Sequence, residues 1–355
     1  MLLLSNFKGT KIRIRIEPMG RRHLIIPIFI PHEGCPYRCV FCNQSSITGV
    51  RRKVVEEKVT GTINNYFRNK STDELPKNRE LAFYGGSFTG ISQERQENLL
   101  SLIQPWIGDG RIQSIRVSTH CLYIDSRRLE LLKRFGVRTV ELGLQSTDPE
   151  VLRLSGRPCS METVRSAAGL IREFGFQLGL QLMPGLPGDC EITFQKSIDD
   201  TIELKPYFVR LYPSLVIRNT QLHDLYLKNE YLPWSLERTV ASLVEATRKF
   251  KKAKIPVIRM GLHQDPSLMG NLVDGPFHPA LKYLVDSRIA YESMVEKINK
   301  METVPRSVMF NVPMRYISIY IGNKRENINR LKALFYLKEV KLNPVSDYAE
   351  FELVA

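Results

Sequence analysis

The sequence predicts an α/β fold in which a partial TIM-type (β/α)6 barrel is followed by a small C-terminal α+β domain. Short apolar runs rich in β-branched and aromatic residues recur along the first 212 residues. Stretches with helical spacing separate them, and each is long enough to be a crossover between parallel strands. After about residue 300 this alternation stops, and strand-like and helical segments are mixed.

Six apolar runs are predicted to be buried parallel strands. They lie at 24–30, 81–84, 115–118, 139–144, 177–183 and 208–212. Helical spacing is found between them at 94–103, 126–135, 161–174 and 190–204. A further helix is predicted at 236–250, with a short strand at 256–260 that would close the sheet. In such a fold, site residues collect in the loops after the carboxyl ends of the strands.

These patterns divide the chain into three regions. We predict a core with an N-terminal extension at 1–262, a helical connector at 263–300 and a small basic domain at 301–355. In the last region 315–321 alternates like a strand, 326–335 has helical spacing, and 339–342 and 348–354 resemble strands. Segment 300–341 contains nine Lys and Arg against three Glu, a local net charge of +6.

Composition narrows the possible classes of protein. The apolar content of 43% predicts packed cores, and no run approaches the roughly 20 apolar residues of a membrane span, which together favour a cytoplasmic protein. Six cysteines in 355 residues do not form a disulfide framework. The net charge of +14 favours an anionic partner such as RNA, although a basic protein with no such partner would have the same charge.

The cysteines of one short segment are the candidate metal ligands. Cys35, Cys39 and Cys42 form a C-x3-C-x2-C motif directly after the first predicted strand. Thiolates bind zinc, copper(I) or iron–sulfur clusters, and structural zinc would require a fourth ligand, for which His32 is the nearby candidate. The close spacing better suits three corners of a cubane cluster, with one iron left open. Three buried structural thiols would not be expected in a loop that contains glycine, proline and arginine.

This motif, with Phe41 just before its last cysteine, resembles that of the radical S-adenosylmethionine (SAM) superfamily. The resemblance assigns Phe41 to the cofactor-binding residues. The resemblance implies that the three cysteines hold a [4Fe–4S] cluster whose fourth iron binds the amino and carboxylate groups of SAM. It also implies an external electron donor, reductive cleavage of SAM, and a deoxyadenosyl radical that abstracts hydrogen from the substrate.

Later strand ends resemble the SAM-binding segments of this superfamily. Gly85, Gly86 and Ser87 follow the second strand and resemble its glycine–glycine motif, whose backbone binds the methionine amino group, whereas a glycine pair alone is often only a turn. The resemblance assigns a hydrogen bond with SAM to Gln145 after the fourth strand, the alternative being a polar residue that caps the strand. It places Gln181, in the fifth, beside the adenine.

The sixth unit is similar to the radical SAM half of the Elongator catalytic subunit, which modifies wobble uridines in tRNA. The similarity lies in segment 209–220 and implies that Arg210 points into the barrel mouth, the alternative being an inward arginine held in a salt bridge. The short cysteine spacing is instead that of most superfamily members, including oxygen-independent coproporphyrinogen oxidases. Only some 90 residues follow Leu262, so we expect no acetyltransferase domain like that of the Elongator subunit.

Three functions are compatible with these features. The preferred one is a radical SAM enzyme acting on RNA, most specifically tRNA. In its support, the loop that contains Lys324 and Arg325 faintly resembles the Gly-x-x-Gly loop by which KH domains clamp a nucleic-acid backbone, although this segment taken alone fits a solvated helix cap better. The others are a radical SAM oxidoreductase for a small metabolite and a non-enzymatic metal- or nucleic-acid-binding module. No catalytic residue or oligomeric state is predicted, and His120 and Cys121 are interpreted either as hydrogen relays or as packing residues.

Overall fold

The computed structural model describes residues 23–44, 56–68, 75–347 and 351–354. It contains two compact units, one spanning Arg21–Lys282 and the other containing Tyr283–Ala355. The predicted region limits at 262 and 300 stay predictions, and most of the predicted N-terminal extension lies outside the described residues. In the part of the chain that is described, no helix is both long enough and apolar enough to cross a membrane.

The first unit is built on a parallel sheet. Its strands are β1 (His23–Phe29), β2 (Asn78–Tyr84), β3 (Ser114–Thr119), β4 (Val137–Gln145), β5 (Gln177–Leu182), β6 (Phe208–Leu211), β7 (Val216–Ile217), β8 (Val257–Met260) and β9 (Leu272–Asp274). Seven of them form one curled sheet in the order β1-β2-β3-β4-β5-β6-β8, and β7 pairs antiparallel with β9. The predicted partial barrel is confirmed, and the strand predicted at 256–260 extends the sheet beside β6 instead of closing it.

Helices connect the strands at the predicted places. They are α1 (Glu56–Phe67), α2 (Gln93–Ser101), α3 (Gln104–Gly108), α4 (Ser126–Arg134), α5 (Pro149–Leu154), α6 (Met161–Glu173), α7 (Glu191–Glu203), α8 (Gln221–Leu227), α9 (Leu236–Lys252) and α10 (Pro266–Asn271). Ser92, Asp125 and Ser160 cap α2, α4 and α6, because each side-chain oxygen accepts a backbone N–H of the first turn. These caps determine where the loops that follow the strands end.

The second unit packs helices on a small mixed sheet. Its elements are α11 (Leu281–Asn299), β10 (Ser307–Pro313), α12 (Ile317–Ile321), α13 (Glu326–Phe335), β11 (Glu339–Val345) and β12 (Glu352–Val354). The central strand β10 is parallel to β11 and antiparallel to β12. Met294, Phe310 and Leu331 are fully buried in its core, and this arrangement is the predicted α+β appendage.

The prediction of a strand at 315–321 is wrong. Met314–Tyr316 is a 3-10 turn, α12 follows it, and the strand precedes both as β10. Alternating isoleucines favour a strand locally, but neighbouring side chains satisfy the helical carbonyls instead: Asn327 Nδ2 donates to Ile319 O (3.1 Å) and Tyr283 Oη to Ser318 O (3.0 Å). The predicted helix at 326–335 coincides with α13. Of the strand predicted at 348–354, residues 348–350 lie outside the described residues.

Candidate active site

The loop after β1 contains the three predicted cluster ligands. The Cys35 N–H donates to the His32 carbonyl (3.3 Å) and the Cys42 N–H to the Cys39 carbonyl (3.0 Å). All three side chains are half-buried free thiols. Across the described ranges no three His, Cys, Asp or Glu side chains converge as a single-ion site. Ligands of a cluster bind different irons, so they surround it without meeting at one point.

The loop that contains Cys35, Cys39 and Cys42, called the cysteine loop below, lies directly against the turn after β2. The Ser87 N–H donates to the Glu33 carbonyl (2.8 Å). A Cβ at Gly86 would lie 2.3 Å from that carbonyl oxygen, and a Cβ at Gly34 would lie 2.3 Å from the Ser87 carbonyl oxygen. Gly85 has a φ of +97°, which side chains rarely adopt. Gly34 and Gly86 are therefore required for the contact between loop and turn, while the binding of SAM by Gly85, Gly86 and Ser87 stays a prediction.

Two side chains donate hydrogen bonds to the cysteine sulfurs. Ser87 Oγ lies 3.8 Å from Cys35 Sγ, and Arg157 Nη1 lies 3.6 Å from Cys39 Sγ. Burial, together with the neighbouring Cys39 and Cys35, raises the pKa of the Cys42 thiol to about 12. A ligand thiol must lose its proton to bind metal, so binding would release this one. Three clustered thiols with hydrogen-bond donors at two of the sulfurs fit an iron–sulfur cluster.

Arg157 joins this loop to the centre of the sheet. Its Nη2 donates to the Gly143 carbonyl in β4 (2.6 Å), while its Nη1 reaches Cys39. Just before it, the Ser155 carbonyl accepts the Val40 N–H (3.1 Å). No local pattern marks Arg157, because its partners lie 14 and 118 residues away in the chain.

Phe41 anchors the cysteine loop by packing. It is partly buried against an apolar cluster that includes Val40, Val216, Leu222 and Tyr231. The Leu222 N–H also donates to the Val40 carbonyl (2.8 Å), which ties the start of α8 to the loop. A direct contact between Phe41 and SAM stays a prediction.

Gln145 and Gln181 are brought together at the carboxyl edge of the sheet. Gln181 Nε2 donates to Gln145 Oε1 (2.9 Å). The pairing of β4 with β5 shifts register at Gly143/Gln145, and Gln145 has a φ of 68°. This irregular backbone turns the end of β4 away from regular strand geometry. The two glutamines are therefore neighbours, and their contacts with SAM stay predictions.

Buried charges form an ion-pair network across strands β2, β3, β4 and β6. Arg116 forms ion pairs with Glu80 and Glu141, both at 2.6 Å, and Arg210 forms one with Glu141 at 2.9 Å. Gly179 leaves room beside this network, because a Cβ there would lie 2.8 Å from the Glu141 side chain. Sequence reasoning missed Glu80, Arg116 and Glu141. The sequence does contain a signal for them, because each is a charged residue in or directly beside an otherwise apolar predicted strand.

Arg210 lies between aromatic rings at the end of this network. Its guanidinium carbon is 4.8 Å from the Tyr84 ring centroid and 5.4 Å from that of Tyr212. Arg210 is held in a salt bridge, as the alternative expectation has it, and its direction toward the barrel mouth stays a prediction. Within the described residues, Arg210 Nε and Tyr84 Oη are buried without a hydrogen-bond partner. Burial, assisted by Glu141, raises the pKa of Tyr84, so its hydroxyl stays protonated.

Lys324 and Arg325 lie in the second unit, in the loop between α12 and α13. Both side chains are exposed, and both residues have positive φ angles of 47° and 64°. Gly322 begins the loop with a φ of 76°. A KH-type role for this loop stays a prediction.

The protein is a β/α half-barrel with three free thiols at the carboxyl end of its first strand, and clustered thiols are the ligands that iron–sulfur clusters use. The radical SAM superfamily model matches residues 29–201, and the radical SAM C-terminal domain model matches 206–291. The chain belongs to the radical SAM superfamily, which confirms the predicted family and enzyme class. The cofactors of this superfamily are a [4Fe–4S] cluster and SAM, as the sequence predicted.

Named relatives place the chain near Elongator-type proteins. It is 24% identical to a tRNA uridine(34) acetyltransferase of Methanocaldococcus jannaschii over 254 residues, 61% of this chain and 47% of that protein. It is 26% identical to Elongator complex protein 3 of Danio rerio over 179 residues, 44% of this chain and 32% of that protein. The chain thus spans less than half the length of either relative.

A solved structure shares the fold. It is the archaeal Elp3 of Methanocaldococcus infernus with an N-terminal deletion, which superposes with a TM-score of 0.58 at 20% sequence identity. The match covers 77% of this chain and 63% of that one.

Proposed function

We propose that this protein is a radical SAM enzyme that modifies tRNA. The cysteine loop seated on the glycine turn, at the carboxyl edge of a half-barrel, is the observation that carries the proposal. The substrate class is inferred from relatives, one of them a tRNA uridine(34) acetyltransferase aligned with 61% of this chain. A net charge of +14 supports a polyanionic substrate.

Cys35, Cys39 and Cys42 would hold three irons of the cluster. When bound, the cluster and SAM supply a one-electron reductive cleavage that yields a deoxyadenosyl radical, and an external donor provides the electron. The hydrogen bonds of Ser87 to Cys35 and of Arg157 to Cys39 stabilise negative charge on these sulfurs. The chain's own contribution at this end of the site is therefore to hold and tune the thiolates.

The interior of the half-barrel supplies polar groups for SAM. Gln145 and Gln181 use one amide atom each on one another, which leaves further donors and acceptors on both. Buried polar atoms in proteins almost always have partners, and Arg210 Nε and Tyr84 Oη have none in the described part of the chain. A ligand carrying carboxylate and hydroxyl groups would satisfy them. We therefore assign SAM contacts to Gln145, Gln181 and Arg210.

RNA contact is assigned to the second unit. Lys324 and Arg325 are adjacent, exposed and cationic, and segment 300–341 has a local net charge of +6. Phosphate contacts by lysine and arginine supply most of the affinity of proteins for nucleic acids and fix their orientation. This assignment rests on charge and exposure, and the Gly322 loop resembles a backbone-clamping loop.

A SAM-cleavage assay tests the proposal. Anaerobically reconstituted protein, given a strong reductant and SAM, should release 5′-deoxyadenosine, and an unmodified tRNA transcript should increase the rate. Cys39→Ala should abolish both cluster absorption and cleavage, whereas Cys190→Ser, which changes a cysteine outside the motif, should retain both.

Two outcomes would favour the other functions. Cleavage stimulated by a small metabolite and indifferent to tRNA would favour the metabolite oxidoreductase. Protein that takes up no cluster, or takes it up and does not cleave SAM, would favour a binding module.

A further inference from the structure

Two cysteines outside the cluster motif lie in direct contact. Cys121 Sγ and Cys159 Sγ are 2.7 Å apart, although the residues are 38 positions apart in the chain. This is far closer than non-bonded sulfur atoms normally approach and is nearer to the ~2.05 Å of a disulfide bond. The structure therefore places the two side chains where a small movement is enough to join them.

The two cysteines have unequal surroundings. Cys121 begins the 3-10 turn Cys121–Tyr123 after β3 and is only 8% exposed. Cys159 precedes α6 and is half-buried, so solvent and small solutes reach it first. A hydrogen bond from Cys121, assisted by the Arg157 charge, lowers the pKa of Cys159, and the same bond with burial raises that of Cys121. Cys159 therefore has the properties of the attacking cysteine of a redox pair, and Cys121 those of the resolving cysteine.

We infer that Cys121 and Cys159 are a redox-active dithiol that reversibly forms an intramolecular disulfide by exchange with a small-molecule disulfide such as glutathione disulfide. Cys159 sulfur attacks one glutathione sulfur, the S–S bond breaks, and one glutathione leaves with the Cys159 proton. Cys121 sulfur then attacks Cys159 sulfur, and the second glutathione leaves with the Cys121 proton. The two cysteines are oxidised, and one glutathione disulfide is reduced to two thiols.

The pair is adjacent to the cluster loop. Arg157, which donates to Cys39 Sγ, lies two residues before Cys159. Arg157 and Cys159 also line one small cavity of about 10 Å³ together with His120 and Cys121. The cross-link and the Cys39 hydrogen bond therefore share the short segment 157–159. Oxidation of the pair would thus change a segment that contacts the cluster site.

Peptide mapping of the reconstituted holoenzyme tests the inference. The protein is equilibrated anaerobically with mixtures of glutathione and glutathione disulfide, blocked with N-ethylmaleimide and digested with trypsin. Cys121 and Cys159 fall in separate tryptic peptides, 117–127 and 154–165, and Cys190 in a third. We expect peptides 117–127 and 154–165 to be cross-linked, two hydrogens below their summed mass, in oxidising mixtures and to separate after dithiothreitol.

Matched variants make the result specific. Cys159→Ser and Cys121→Ser should each abolish the cross-link, and Cys190→Ser should leave it unchanged. The wild-type measurement alone suffices if a serine variant fails to fold. Cys121 and Cys159 that are blocked by maleimide at every glutathione ratio, or that each carry glutathione without a cross-link, would overturn the inference. Because cluster content and SAM cleavage are not the readout, failure here is distinct from failure of the proposed function.

Discussion

The fold holds His120 as a neutral imidazole. Its side chain is completely buried, and burial, assisted by the Arg157 charge, lowers its pKa to about 3. Nδ1 accepts the Leu122 N–H (3.2 Å), whereas Nε2 has no hydrogen-bond partner among the described residues. In an unfolded chain the pKa returns to about 6.5, so the unfolded state binds the proton more readily.

We expect the stability associated with neutral His120 to be fully present above about pH 6.5 and to be lost as the pH falls toward 3. The loss approaches about 1.4 kcal/mol per pH unit within that window. Melting temperatures measured between about pH 7 and about pH 5 should fall more steeply for the wild type than for His120→Asn, which does not titrate there. Parallel slopes would contradict the assignment of this proton to His120.

Glu141 is the carboxylate shared by two buried arginines. Replacing it by alanine leaves Arg116 and Arg210 with less compensation in the interior, and breaking a buried pair in this way costs about 3–5 kcal/mol. Urea denaturation of Glu141→Ala should report a loss of this size in the first unit. Glu150→Ala, which removes an exposed partner of Arg153, is the matched control and should unfold like the wild type. Equal effects of the two substitutions would show that the network contributes little.

The sequence identified some of these residues and missed others for a physical reason. Cysteines 35, 39 and 42 are neighbours in the chain, so their spacing alone indicates a shared ligand. Arg157 and Glu141 act through partners that lie 118 and 25 residues away in the chain. Only the pairing of the strands and the path of the loops bring those partners together, and neither can be read from spacing.

The turn after β2 and the cysteine loop act as one structural element. Their backbones approach so closely that a methyl group on Gly86 would meet the Glu33 and Ile30 carbonyl oxygens at 2.3 and 2.6 Å. Backbone carbonyls cannot rotate away as a flexible side chain can. The loop must therefore move as a whole if a side chain is added, and its three thiols move with it.

Gly86→Ala should displace the cysteine loop and reduce the iron bound after reconstitution several-fold. Iron content and visible absorption measure the effect. Gly169→Ala is the matched control, because a Cβ there has no neighbour within 4 Å and the residue lies inside α6. That substitution should retain the cluster and stabilise the helix by about 0.5–1 kcal/mol. Full iron content in Gly86→Ala would contradict the close contact between loop and turn.

Secondary structure could be predicted where the elements are long and repetitive. The prediction failed where the elements are short. The strands of the half-barrel and the helices that connect them could be predicted because their apolar residues recur with the regular spacing of a strand or a helix. Segment 317–321 is only five residues long, too short for a helical period to be distinguished from alternation. Its helical state depends on hydrogen bonds from Tyr283 and Asn327, which belong to other elements.

Positive charge is unevenly distributed over the molecule as a whole. Within the second unit, Lys324 and Arg325 are exposed next to the start of α13. In the first unit, Lys249 is instead paired with Asp199 at 2.7 Å. If tRNA is the substrate, the two kinds of cation should contribute differently to its binding, since only a cation that contacts phosphate displaces a counterion.

We expect tRNA affinity to fall steeply with salt, and the double variant Lys324→Ala/Arg325→Ala to weaken binding at low salt. Each lost phosphate contact should lower the slope of log K against log salt by about 0.7–0.9, so the double variant should lose about 1.4–1.8. Fluorescence anisotropy of labelled tRNA at several salt concentrations measures this slope. Lys249→Ala is the control and should leave it unchanged, and neither substitution should alter cluster content. A double variant with the wild-type slope would remove this loop from the RNA interface, because an exposed cation that contacts phosphate cannot be lost without changing counterion release.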